Sequence, residues 1–192
     1  MGRKRGGRGF DRGREGAMAE PGREGPELEL LAFGAADFRR LAADPVGSAR
    51  RAGYDLGSHA ALVQAVATNS AAFQERGEIR PPWGGYLALE GPSRVVVGTC
   101  GFKGGPDPEG AVEIAYFTFP GGEGRGIGSA MARALCMLAS RQPGVRVLRA
   151  HTLPDLNTSA RLLARLGFVH TADIADPEDG PVWRWHREPF LA

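Results

Sequence analysis

Ala111-Val-Glu-Ile-Ala-Tyr-Phe-Thr-Phe-Pro120 and the run after it, Gly121-Gly-Glu-Gly-Arg-Gly-Ile-Gly-Ser129, decide how this chain is read. An apolar strand passes through a glycine-rich turn into a helix whose apolar positions begin at Ile127. Gly124, Gly126 and Gly128 have no Cβ, so the backbone there can approach a ligand closely. The first N–H groups of the helix lack intrahelical partners and carry the positive end of its dipole. Such a turn suits a phosphate or pyrophosphate. Spacing excludes two common phosphate binders. No Gly-x-x-x-x-Gly-Lys-Ser/Thr run exists, and Gly-x-Gly-x-x-Gly counted from Gly124 would need a third glycine where Ser129 stands. A strand-to-helix turn without a ligand is the alternative that this segment alone leaves open.

Working outward, Val145–Leu153 reads as a strand, followed by Pro154-Asp-Leu-Asn-Thr-Ser-Ala-Arg-Leu-Leu-Ala-Arg-Leu-Gly-Phe168. With this second segment the chain resembles the GCN5-related N-acetyltransferase superfamily. That family's Arg/Gln-x-x-Gly-x-Gly/Ala signature is similar to Glu123-Gly-Arg-Gly-Ile-Gly128. Its downstream Asn-x-x-Ala/Ser, short helix and Gly-Phe pair match Asn157, Ala160, Gly167 and Phe168. The likeness is strongest over Arg94 to Val169, and within the superfamily it is nearest the ribosomal-protein alanine acetyltransferase group.

The resemblance implies acetyl-CoA as co-substrate, no metal, and a primary amine as acceptor, either a protein N-terminus or a small amine attacked directly. It implies that Gly124, Arg125, Gly126, Ile127, Gly128 and Ser129 hold the pyrophosphate through backbone N–H groups. Asn157 becomes a second anchor, and the backbone of Phe117, Thr118 and Phe119 runs beside the pantetheine arm. Three positions depart from the family pattern: Glu123 stands where Arg or Gln is usual, Leu163 where many members have a tyrosine, and Ala160 where some have serine. Ser159, Tyr116 and His151 are the replacement proton donors on offer. A non-catalytic module that binds coenzyme A or an acyl form is the rival reading.

Glu113 is the one charged residue in the strand Ala111–Phe119, which is otherwise apolar on both faces. A buried carboxylate is costly unless it is paired or has a task. Accepting the proton of an incoming amine is such a task, so Glu113 is the candidate base. His151, at the end of its strand and near Asn157, is the candidate acid because imidazole titrates near neutral pH.

The remaining elements place these residues in an α/β (α+β) fold with a mixed, mostly antiparallel central sheet and helices on both faces. Glu27–Phe33, Gly85–Glu90, Val95–Phe102 and Ala111–Phe119 read as strands. A short helix spans Asp37–Ala43 and ends before Pro45. Ser58 reads as the N-cap of a helix with Leu62, Val66 and Phe73 on one face. Ile127, Met131, Ala134, Leu135 and Leu138 form the stripe of the helix after the turn. The strand–helix–strand unit should bring its strands together in parallel, and a hairpin ending at Trp183 to Trp185 closes the domain. The acceptor is expected near Ala35–Trp83, with Trp83 and Tyr86 as wall residues.

Composition supports one domain and a separate tail, and the resemblance makes residues 27–190 the N-acetyltransferase domain. Met1 to Pro26 holds eight glycines, seven Lys or Arg and four acidic residues, too few apolar groups to fold, so it reads as disordered. Residues 27–192 carry 17 basic and 18 acidic side chains, which gives no reason to expect nucleic acid. No apolar run approaches the length of a membrane span, and the basic N-terminus lacks the apolar core of a signal peptide. A cytoplasmic protein, monomeric or homodimeric, is expected. Cys100 and Cys136 then read as buried thiols.

Overall fold

The short turns between apolar runs hold those runs as neighbouring strands in the computed structural model, which describes residues 25–77, 79–177 and 180–189. Strands β1 (Leu28–Phe33), β2 (Gly85–Glu90), β3 (Val95–Phe102) and β4 (Ala111–Thr118) pair antiparallel in sequence order. Between β1 and β2 lie helices α1 (Ala35–Ala43), α2 (Pro45–Ala52) and α3 (Ala60–Arg76). After the glycine turn comes α4 (Ile127–Ser140), and β5 (Val147–Thr152) returns parallel to β4 as expected. Helix α5 (Thr158–Arg165) and the hairpin β6 (Val169–Asp176) and β7 (Gly180–Arg187) complete a seven-stranded sheet of order β1-β2-β3-β4-β5-β7-β6. The tail expected to be disordered lies outside the described residues, except for Gly25 and Pro26.

Two apolar clusters sit on opposite faces. Met131, Leu135 and Cys136 of α4 and Leu162 and Leu163 of α5 pack on Val112 and Ile114 of β4, Leu148 and Ala150 of β5 and Trp185 of β7. Phe38 and Leu41 of α1, Ala49 of α2 and Val63 and Ala67 of α3 pack on Leu87, Leu89 and Val96 of β2 and β3. No side chain of β5, β6 or β7 belongs to the second cluster. Among the side chains on the opposite face of β4, β5 and β7, outside the second cluster, are Glu113, Arg149, His151, Arg184 and His186.

Four local readings need correction. Helix α1 does end before Pro45, but that proline opens a further helix, α2. Asp44 caps it, its Oδ1 accepting from the Gly47 N–H at 2.8 Å, and proline at the first helical position forfeits no bond. Helix α3 begins after His59 rather than Ser58, without a side-chain cap, and buries Val63, Ala67, Ala71 and Gln74, with Leu62, Val66 and Phe73 only partly covered. The stripe of α4 runs through Ile127, Met131, Ala132, Leu135, Cys136 and Ala139, one position round from the expected Ala134 and Leu138. β5 starts at Val147 because the Gly110 carbonyl takes the N–H groups of Arg146 and Val147 before the ladder begins. No helix among the described residues is long and apolar enough to cross a membrane.

Candidate active site

β4 and β5 pair through only three residue couples, Ala111 with Val147, Val112 with Leu148 and Glu113 with Arg149. Beyond Glu113 the two strands part, while β4 stays bonded to β3 up to Thr118. Residues 114 to 118 thus turn one backbone edge toward a gap inside the sheet. The gap widens into a cavity of about 490 Å³ between β4, the glycine turn and the start of α5. Of the residues expected to hold the cofactor, Phe117, Thr118, Gly124, Gly126, Ile127, Gly128 and Ser129 line it.

The turn is shaped by glycine where no other residue would serve. Gly124 and Gly126 have φ of 74° and 82°, the left-handed region, and Gly126 is the N-cap of α4 with no side-chain cap to satisfy the first turn. The first-turn N–H groups are therefore left to a ligand or to water. A Cβ on Gly128 would stand 3.3 Å from both Leu162 Cδ1 and Thr118 Oγ1, so the helix start lies close against β4 and α5.

Three of the expected cofactor residues do not line this cavity. Arg125 turns its guanidinium to Glu90 at the end of β2, 2.6 Å from Oε2. Phe119 is fully buried in the core beneath α1 to α3, edge-on to His59. Asn157 is occupied as the N-cap of α5, its Oδ1 accepting from the Ala160 N–H at 2.9 Å. Glu123, which lines the cavity, bends back so that Oε2 accepts from the Gly121 N–H at 2.8 Å. Arg165, in the last turn of α5, contributes a cation to the same cavity. The basic residue just before the Gly-Phe pair was the only trace of that in the sequence.

A second hollow, about 400 Å³, opens on the other face between Asn69, Ser70 and Phe73 of α3, Lys103 and β4. Tyr116 and Phe117 line both hollows. Burial pushes the Tyr116 phenol up to about 12, with the Ser159 hydroxyl pulling modestly the other way. Trp83 lines a further hollow that shares Phe73 and Lys103 with this one. Tyr86, expected as a wall, is instead a core residue whose hydroxyl donates to the Pro82 carbonyl at 2.6 Å.

The two residues expected to do acid–base work are brought together. His151 Nδ1 lies 3.2 Å from Glu113 Oε1, and Lys103 Nζ lies 3.1 Å from the same oxygen. Their side chains are largely covered, at 11% exposure for His151 and 17% for Glu113. Arg184 Nε donates to His151 Nε2 at 3.4 Å, and Arg149 Nε donates to His186 Nε2 at 3.3 Å. Burial and the positive charges of Arg149 and Arg184 hold the His186 pKa below the usual imidazole range. Lys103, Arg149, Arg184 and His186 were not singled out from the sequence, since polar residues alternating along a terminal hairpin look like an ordinary solvated face. Cys100 and Cys136 are buried thiols, pushed up to about 12 and about 11 by burial.

The model of the acetyltransferase (GNAT) domain family matches residues 27–169. Among solved structures, the RimL ribosomal L7/L12 alpha-N-protein acetyltransferase in complex with coenzyme A is 17% identical, with 84% of this chain and 93% of that one covered at a TM-score of 0.55. The acetyltransferase from Agrobacterium tumefaciens strain C58 is 22% identical, with coverage of 96% and 99% and a TM-score of 0.54. The spermidine/spermine N-acetyltransferase SpeG from Vibrio cholerae is 10% identical, with coverage of 84% and 94% and a TM-score of 0.58. At such identities these structures speak for the shared fold. No curated protein shows a significant match to the chain.

Proposed function

Because the chain belongs to the GNAT acetyltransferase family, we propose that it transfers an acetyl group from acetyl-CoA to a primary amine, which attacks the thioester directly. The observation that carries this reading is the parting of β4 from β5 immediately before an uncapped, glycine-framed helix start. It offers a bare strand edge and a cluster of free N–H groups along one cavity, as a ligand with an amide-bearing arm and a pyrophosphate requires. When bound there, acetyl-CoA supplies an activated acetyl thioester. Gly124 to Ser129 would hold its pyrophosphate by backbone N–H groups, charge-assisted bonds worth about 1.5–3 kcal/mol each. Glu123, on the wall of the same cavity, is tied back to the Gly121 N–H.

An amine reaches the reacting position as an ammonium and must lose a proton before it attacks. Glu113 and His151, in contact at the point where the strands part, are the acceptors for that proton. Lys103 keeps Glu113 compensated while the site is empty of substrate. The departing thiolate needs a proton in turn. Tyr116, where both hollows meet, carries one throughout the neutral range.

Glu113→Gln tests the assignment against a non-catalytic binding module. Titration with acetyl-CoA should give one site per chain and the same affinity in both proteins, while kcat falls roughly a hundredfold or more, the usual contribution of a general base. Binding without any acetyl transfer by the unmodified chain, over a broad panel of amines, would favour the binding module. Absence of acetyl-CoA binding would remove the enzyme reading altogether.

A further inference from the structure

The Glu113 face of β4, β5 and β7 has a feature that amine acetylation in general does not require. Arg184 is half buried beside His151, and among the described residues no carboxylate comes within ion-pair distance of it. Its one side-chain hydrogen bond runs from Nε to His151 Nε2, at 3.4 Å. Arg149, 25% exposed, sits on the neighbouring strand, with the ring of His186 and a long 3.4 Å contact to Asp107 as its partners. A partly desolvated guanidinium is costly without a counter-anion. Arg184 is in that position, and Arg149 on the adjacent strand has only the long Asp107 contact; both donate to imidazole nitrogens, and guanidinium donors suit a carboxylate.

We propose that the acceptor is an amine that carries a carboxylate close by, held by Arg184 with support from Arg149. This inference rests on the acetyltransferase reading above and deepens it by naming the substrate class. The spacing follows from the contacts: one imidazole ring separates the Arg184 guanidinium from the Glu113 carboxylate. An amine at Glu113 and a carboxylate at Arg184 therefore belong to the same small unit, an amino acid or the first residues of an acidic peptide. His151 Nδ1 lies toward Glu113 and Nε2 toward Arg184, so an ammonium at Glu113 and a carboxylate at Arg184 sit at opposite ends of one ring. A polyamine meets the Arg184 guanidinium, which has no carboxylate partner among the described residues, and is disfavoured.

The experiment follows CoA release by the full chain with aspartate, glutamate, peptides that begin with Asp, the same peptides with Asn in its place, and spermidine. Asp-bearing acceptors should exceed their Asn counterparts in kcat/KM by about tenfold to a hundredfold, as expected for a hydrogen-bonded charge. Arg184→Gln should abolish that preference, bringing Asp acceptors down to the level of their Asn counterparts, with acetyl-CoA affinity unchanged, and Arg184→Lys should restore part of it. Activity on the peptides but not the free amino acids, or the reverse, identifies the source of the carboxylate. Equal use of Asp and Asn acceptors, a preference for spermidine, or an equal loss on both acceptors in Arg184→Gln would overturn the inference while leaving the acetyltransferase reading in place. Failure to bind acetyl-CoA, or to acetylate any amine, would instead strike that reading first.

Discussion

Tyr116 is the side chain that belongs to both hollows, and its chemistry is set by burial. Removing water from a phenol penalises the phenolate, so the raised pKa of about 12 keeps the proton in place at every working pH. Tyr116→Phe is therefore expected to lower kcat about tenfold or more, with little effect on acetyl-CoA affinity. The pH profile of the unmodified enzyme should show no loss attributable to this phenol below about pH 10, the ordinary tyrosine value. For stability the sign is the same. The raised pKa contributes fully below the unfolded value of about 10 and is lost as pH climbs through about 12. Position 163, where many family members carry a tyrosine, is here a fully buried leucine on the inner side of α5. Sequence named Tyr116 as one of three replacement donors, but only the fold shows that it stands at the junction. His151, preferred on the sequence, faces Glu113 across a different face of the sheet.

At the scale of elements, β4 does most of the work, because one edge is paired along its length and the other is freed after Glu113. With acetyl-CoA bound, the freed amides among residues 114 to 118 are expected to exchange hydrogen more slowly than in the free protein. Those bonded to β3 should change little, and exchange mass spectrometry with fragment resolution would separate the two sets. A uniform slowing of both would argue against a ligand lying in the gap.

The glycine turn and the parallel return of β5 were legible because each rests on a local rule: positive φ and a crossover connection. Helix α2 was not. Asp-Pro reads as a stop when approached from α1, yet the same pair is a strong start for whatever follows. Arg149, Arg184 and His186 were hidden for another reason: alternation shows that residues share a face but not what lies over it.

On the scale of the whole molecule, helices cover the sheet unevenly. α4 and α5 back the strands on one side, whereas α1 to α3 shelter only the β1 to β3 half of the other. The other half carries the candidate acid–base pair and the two arginines. His186 gives that half a pH response. Its pKa is lowered by burial and by Arg149 and Arg184, so its contribution is present above the ordinary imidazole value and is lost as pH falls toward the folded one. Thermal melts of His186→Gln should accordingly lose less stability than the unmodified chain between about pH 6.5 and pH 5.

The three-residue seam between β4 and β5 also has a mechanical meaning. A seven-stranded sheet ordinarily unfolds as one body, but here four strands are stitched to three by a short run of ladder, with α4 laid across the join. Each side can loosen by a separate local opening before the whole chain melts. A ligand seated in the gap would supply the missing rungs, and with it bound the two local openings are expected to merge into one cooperative transition.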